Sequence, residues 1–286
     1  MSDALLSPFT LRDGLNLARY EWPLPQGKRP RAVVLIVHGL GEHAWRYDTL
    51  AQRLNGWGCA VRAFDQRGHG ESGGKPGVLP HDDALLEDLA ELVDDTRHQV
   101  ALPWGCPLIL LGHSLGGLVA ATFVLRGMAP VDGLVLSSPA FDAGMTPFQK
   151  WLTRLLYRWG PDITVANGLD PQGLSHDQRV VSAYRDDPHV HNRISARLAQ
   201  FIAVNGPAVV AAAPGWSLPT LLMYAGADRL VRPEGSRAFV AQAPARWVSG
   251  LCLEGQFHEI FNEVDPGTAF STLKDWLNNP LRQGPK

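Results

Sequence analysis

Pro107-Leu108-Ile109-Leu110-Leu111-Gly112-His113-Ser114-Leu115-Gly116-Gly117-Leu118-Val119 is the stretch on which the fold turns. An apolar run of the length of one buried strand ends in Gly112-His113-Ser114-Leu115-Gly116, and a helical pattern over residues 118–126 follows at once. With 29 glycines in the chain, G-x-S-x-G alone is a weak signal. The strand before it and the helix after it are what make this instance specific. A serine on so sharp a strand-to-helix turn stands above the sheet. The helix N-terminus beside it offers unpaired N–H groups to developing negative charge. The flanking glycines are needed because a Cβ would clash where strand and helix close on each other.

Outward from this turn, short apolar runs at residues 32–37, 59–64, 107–111, 133–137, 220–225 and 247–253 alternate with helical patterns at 45–56, 82–100, 115–126, 233–243 and 266–277. Strand-then-helix alternation predicts an α/β fold, a mostly parallel sheet covered by helices on both faces. Pro233 and Pro266 suit the first turns of the last two helices. Near the start, Thr10-Leu11 and residues 15–20 flank Asp13-Gly14, so the sheet is expected to open with an antiparallel ribbon. The alternation breaks between Pro139 and Trp216, where no comparable β-rich run appears; an inserted, mainly helical subdomain is the simplest reading. The Pro/Gly-rich tail, residues 279–286, is expected to be loose.

The 286 residues allow one large domain or two. An apolar content of 45% against 19% charged residues excludes a disordered chain. With 26 Lys+Arg against 28 Asp+Glu, no cationic excess exists to bind a phosphate backbone or hold an anionic membrane by charge. No nucleic-acid partner is therefore expected. Cys59, Cys106 and Cys252 are too few and scattered for a disulfide framework or a metal site, which fits a reducing compartment. Residues 1–13 have no leader pattern, and the longest apolar runs (32–37, 118–125, 208–213) fall far below the ~20 residues of a membrane span. A cytoplasmic protein is the expectation.

A serine hydroxyl needs a base, and the base needs an acid to fix its tautomer. Asp228 follows the run 220–225 and His258 follows 247–253, both just past C-terminal strand ends, where open α/β sheets place ligands. His258 alone among ten histidines lies beyond Asp228. Asp142 is the rival acid, and Asp265 reads as a helix cap. His81, His98, His176, His189 and His191 read as surface or packing residues. His38-Gly39-Leu40-Gly41-Glu42-His43 ends the first buried strand, and its glycines let the backbone approach a ligand. Leu40 N–H and Leu115 N–H are the candidate oxyanion donors, against the reading of a plain glycine-rich turn. No carboxylate or histidine with ligand spacing joins His38 and His43, so no metal is expected. Asp65, Arg67 and His69 look catalytic to the eye, but are expected to form a buried polar network beside the site.

These elements, His38–His43, Phe64-Asp65-Gln66-Arg67-Gly68-His69-Gly70, Gly112–Gly117, Gly226-Ala227-Asp228 and Phe257-His258-Glu259, together resemble the monoacylglycerol lipase and lysophospholipase branch of the α/β-hydrolase family. The resemblance implies an eight-stranded, mostly parallel sheet, a cap over the site, no metal or organic cofactor, and hydrolysis of one acyl chain from glycerol or a similar alcohol. On this reading residues 1–138 and 217–286 are core and 139–216 are cap. In the cap, Asp187-Pro188-His189-Val190-His191 looks like a stretch common in that branch. Phe148, Trp151, Leu152, Leu155 and Trp159 recur at steps of three and four, a helical stripe that either packs on the core or binds acyl chains and membrane lipid, with Lys150, Arg154 and Arg158 toward headgroups. Lysophospholipase, short-chain carboxylesterase and a hydrolase-derived ligand-binding receptor with little turnover are the competing functions. No protein partner is implied.

Overall fold

Residues 32–37 are apolar at every position because both faces of the strand they form are covered; all six are buried. The computed structural model describes residues 4–278, so the tail 279–286 lies outside the described residues. In chain order these form β1 (Leu5–Thr10), β2 (Asn16–Trp22), β3 (Ala32–Val37), α1 (Asp48–Gly56), β4 (Cys59–Phe64), α2 (Ala84–Thr96), the single turn α3 (Leu102–Trp104), β5 (Leu108–His113) and α4 (Leu115–Leu125). β6 (Gly133–Ser137), α5 (Pro147–Trp159), β7 (Thr164–Ala166), α6 (Gln178–Asp186), β8 (Arg193–Ser195) and α7 (Ala196–Ala212) follow. β9 (Thr220–Ala225), α8 (Pro233–Gln242), β10 (Val248–Leu253) and α9 (Gly267–Asn278) complete the order.

The main sheet has eight strands in the order β1-β2-β4-β3-β5-β6-β9-β10. It is parallel from β4 to β10; β2 runs antiparallel to both β1 and β4. Period-two alternation splits each buried strand between two apolar clusters. Val33, Leu35 and Val37 join Leu89 of α2, Leu118 of α4 and Phe239 of α8 on one face. Val34 and Ile36 join Leu54 of α1 and Leu273 of α9 on the other. β5 runs two residues further than the sequence suggests, because His113 still pairs with Ser137 of β6.

Three features of the 139–216 segment differ from expectation. β7 and β8 pair as a small antiparallel sheet, Thr164 opposite Ser195, too short to show any alternation in sequence. α7, counted with the cap, contributes Leu198, Phe201, Ile202 and Val209 to the same apolar cluster as α4 and α8. By length and composition the helical stretch Ala196–Gly215 could also cross a membrane, which no continuous apolar run in the sequence suggests. It carries Pro207 within it, and its buried face lies against the core. Such a helix is weak evidence for a span.

Candidate active site

The elbow is strained by design of its surroundings. Ser114 has φ 53° and ψ −120°, a conformation that L-residues seldom adopt. Its N–H donates to the Ser137 carbonyl and its own carbonyl accepts from Ala140 N–H, both at 3.0 Å, so the end of β6 holds it there. Position 116 accepts only glycine, since a Cβ there would lie 2.1 Å from the Val37 carbonyl oxygen. The first turn of α4 thus rests directly on the end of β3, the strand that leads into residues 38–43.

Asp228 and His258 meet across the ends of β9 and β10. His258 Nδ1 lies 2.6 Å from Asp228 Oδ2, with both side chains almost fully buried. The other Asp228 oxygen accepts Leu230 N–H at 2.8 Å and Val231 N–H at 3.0 Å, which fixes the carboxylate plane. Burial works against charge on His258, but the Asp228 carboxylate outweighs it, helped by Glu259 and Glu42, and holds the imidazole pKa above its ordinary value. Burial likewise opposes ionisation of Asp228, and its partner His258 and the two N–H donors reverse that and lower its pKa. The rival Asp142 instead accepts Gly144 N–H within its own turn. His113 Nδ1 sits 3.0 Å from Ser137 Oγ, and its ring centroid is 4.6 Å from that of His258. Burial, then the neighbouring His258, depress the His113 pKa to about 4 and keep it neutral.

In the loop after β3, Gly39 N–H donates to Glu42 Oε1 at 2.6 Å and is thereby committed. Leu40 lines the cleft together with Ser114 and His258. His38 Nε2 accepts Gln66 N–H at 2.8 Å, while Gln66 Nε2 donates to the His38 carbonyl at 2.7 Å. His43 Nε2 pairs with Asp187 Oδ2 at 2.8 Å. Both histidines therefore have partners within the protein. Asp65 accepts Ala44 N–H at 2.7 Å and Glu71 N–H at 2.8 Å, and Arg67 grips Asp88 through two bonds of 2.6 Å. His69 Nδ1 lies 3.1 Å from the Arg67 carbonyl. This is the loop-holding network expected beside the site.

Leu169, Asp170, Leu174 and Tyr184 from the insertion line a partly open cleft beside Ser114 with a volume of about 30 Å³. That is room for one or two waters at about 15 Å³ each, far too little for an acyl chain. The insertion is tied to the loop after β3 at two points: the His43–Asp187 pair, and His191 N–H donating to the Gly41 carbonyl at 2.9 Å. At Gly41, φ is +78° and a Cβ would stand 2.3 Å from the His191 carbonyl oxygen. Phe148, Trp151, Leu152, Leu155 and Trp159 form α5, yet none of them lines this cleft. They face solvent, from 37% exposed at Leu152 to 78% at Trp159, so the core-packing reading of the stripe does not hold.

Three residues at the site had no role assigned from sequence. Glu42, Arg46 and Glu259 form a buried ion cluster joining the loop after β3 to the loop after β10. Glu42 and Arg46 stand four apart, the spacing of an intrahelical ion pair, which was the available signal. Glu259 had none, because its partner is 213 positions away. His176, placed among surface or packing residues, stacks on Phe257 at 3.7 Å and bonds Glu263, steadying the segment that carries His258.

The serine aminopeptidase S33 family model matches residues 28–265. A monoacylglycerol lipase from Mycolicibacterium smegmatis is 35% identical over 259 residues, 88% of this chain and 90% of that protein. The crystal structure of a monoacylglycerol lipase from Paleococcus ferrophilus superposes with a TM-score of 0.80 at 33% identity, covering 94% of this chain and 99% of that one. A soluble variant of monoglyceride lipase from Saccharomyces cerevisiae, at 23% identity, shares the fold with a TM-score of 0.86 over 99% of this chain and 96% of that one. A catalytic-looking elbow, a buried acid–imidazole pair and this breadth of likeness coincide in one chain, which belongs to the serine aminopeptidase S33 family and, within it, to the monoacylglycerol lipase-like branch of the α/β-hydrolases.

Proposed function

We propose that this serine hydrolase cleaves a single acyl chain from a monoacylglycerol or similar lipid ester through an acyl-enzyme. The observation that carries the reading is the 2.6 Å His258–Asp228 pair in the cleft that the strained Ser114 also lines. With Nδ1 turned to Asp228, Nε2 is the ring nitrogen left to take the Ser114 proton. Ser114 Oγ attacks the ester carbonyl carbon, and the Leu40 and Leu115 N–H groups receive the oxyanion, each contributing roughly 3–4 kcal/mol of barrier lowering. As the tetrahedral intermediate collapses, His258 protonates the departing alcohol. His258 then activates water, and the acid is released by the same steps in reverse.

A lipid-like substrate is supported by the apolar lining at Leu40, Leu169, Leu174 and Leu230, and by names borne by relatives. Residues 139–216 are proposed to act as the cap, the part outside α7 shifting to admit the chain, since the cleft as it stands has room for only a water or two. The exposed face of α5, with Lys150, Arg154 and Arg158 beside it, is proposed to rest transiently on a membrane surface. No metal or organic cofactor takes part in these steps. Turnover of monoacylglycerols, lysophospholipids and p-nitrophenyl esters of graded length tests the reading. Long-chain monoacylglycerols should give the highest kcat/KM and Ser114→Ala should abolish it. A maximum at acetate or butyrate would instead make this a short-chain carboxylesterase, and absence of turnover a ligand-binding protein.

A further inference from the structure

We propose that Arg46 is a positioning residue, a clamp that fixes the oxyanion loop to the histidine loop by bonding two buried carboxylates beside the reacting carbonyl and cancelling the charge of one; the proposal rests on the ester-hydrolase reading above.

Arg46 lies on the single 3₁₀ turn Ala44–Tyr47 that follows the oxyanion loop. Its Nη1 donates to Glu42 Oε2 at 2.6 Å and to Glu259 Oε1 at 2.7 Å, and its Nη2 donates to Glu259 Oε2 at 3.0 Å. The three side chains are 11%, 6% and 5% exposed, so none of this is surface pairing. Each of the two acidic residues is also tied to the loops around it, Glu42 through its carboxylate and Glu259 through its backbone. Glu42 Oε1 holds Gly39 N–H at 2.6 Å and Tyr47 OH at 2.7 Å, fixing the His38–Gly39 peptide, one unit before the one that carries Leu40 N–H. Glu259 is the neighbour of His258 in the chain, and its own N–H donates to the Leu174 carbonyl at 2.8 Å. One guanidinium therefore spans the two loops whose relative placement determines whether an oxyanion donor and the general base serve the same bound ester, the one at its carbonyl oxygen and the other at Ser114 and the leaving oxygen.

Electrostatics points the same way. Glu42 and Glu259 both line the cleft in which negative charge develops on the carbonyl oxygen. Unneutralised, they would oppose that charge in a largely buried site, where Coulombic effects are stronger than in bulk water. Arg46 cancels one of the two charges and hydrogen-bonds both. Burial disfavours the ionised Glu42, but Arg46, then the nearby His113 and His38, more than reverse this and hold its pKa down to about 2. Tyr184 of α6 covers the outer face of the guanidinium, with Cζ 4.8 Å from the ring centroid. This ring also lines the cleft, so the insertion covers the clamp from the outside. Lysine cannot reproduce the arrangement, because an ammonium lacks the planar fork that grips Glu259 through two nitrogens while also reaching Glu42.

The test separates a positioning role from a merely structural one by counting working sites. Wild type, Arg46→Lys and Arg46→Met are titrated with a fluorophosphonate to count reactive Ser114, and kcat is expressed per titrated site on one monoacylglycerol. Arg46→Met should lose about 10²-fold in kcat per site, as a displacement of the order of 1 Å at the chemistry would cause, with KM within about threefold. Arg46→Lys should fall between the two, regaining charge without the bridge. A structural role alone would reduce the number of titrated sites and the Tm while leaving kcat per site unchanged, and that result overturns the clamp. Wild-type kcat per site in Arg46→Lys overturns it too, even if Arg46→Met does not fold. Ester turnover that survives Ser114→Ala would instead fail the reading of the site as a whole, which is a distinguishable outcome.

Discussion

At the scale of single residues, the proposed chemistry depends on a few atoms whose placement is costly. Ser114 is held at positive φ, Asp228 is immobilised by two backbone N–H groups, and His258 is buried against it. Asp228→Asn should lower kcat by about 10⁴-fold, because the amide leaves His258 in the wrong tautomer. Asp142→Asn should leave kcat near wild type; steady-state kinetics of the two variants decides between the carboxylates. His258 must be neutral to act as a base. Since the net effect of burial and Asp228 raises its pKa above 6.5, kcat/KM should fall on the acid side with a midpoint above 6.5. In Asp228→Asn the raising partner is gone and burial prevails, so that midpoint should move to lower pH; a pH–rate profile of both proteins measures it. Much of this was legible in the residues themselves. Ser114, Asp228 and His258 each sit where a strand pattern ends, and chain order leaves His258 as the sole histidine beyond the acid. Arg46 and Glu259 were illegible because their meaning is a contact between loops 213 positions apart.

At the scale of elements, β3 and β5 were readable because strands buried on both faces carry uninterrupted apolar runs. β7 and β8 were not, since three residues are too few to display a period. α5 was legible as an amphipathic helix, but the direction of its apolar stripe was not. The structure turns Phe148, Trp151 and Trp159 to solvent. If that face meets lipid, Trp151→Glu with Trp159→Glu should cut co-sedimentation with phosphatidylglycerol-containing vesicles by about tenfold or more, given ~1.5–3 kcal/mol per buried large apolar side chain. Hydrolysis of soluble p-nitrophenyl butyrate should be unaffected, because neither side chain lines the cleft. Unchanged vesicle binding would remove the membrane role from α5.

At the scale of the whole molecule, β6 and β9 are neighbours in the sheet although the entire insertion lies between them in sequence. α7, the last helix of that insertion, buries Leu198, Phe201 and Val209 in the core cluster. Replacing residues 139–216 by a short Gly/Ser linker should therefore abolish cooperative thermal unfolding, whereas a cap independent of the core would come away and leave a folded sheet; circular dichroism on heating distinguishes them. The sequence by itself determined the strand–helix alternation, the elbow, and the residues that follow three strand ends, because burial on both faces, turn sterics and chain order are local properties written in residue type and spacing. Only the tertiary structure decided the small β7–β8 sheet, the outward face of α5, the core packing of α7 and the Glu42–Arg46–Glu259 cluster. Each of these depends on which distant surface a side chain meets, and the energy of a long-range contact leaves no period or composition in the chain on either side of it.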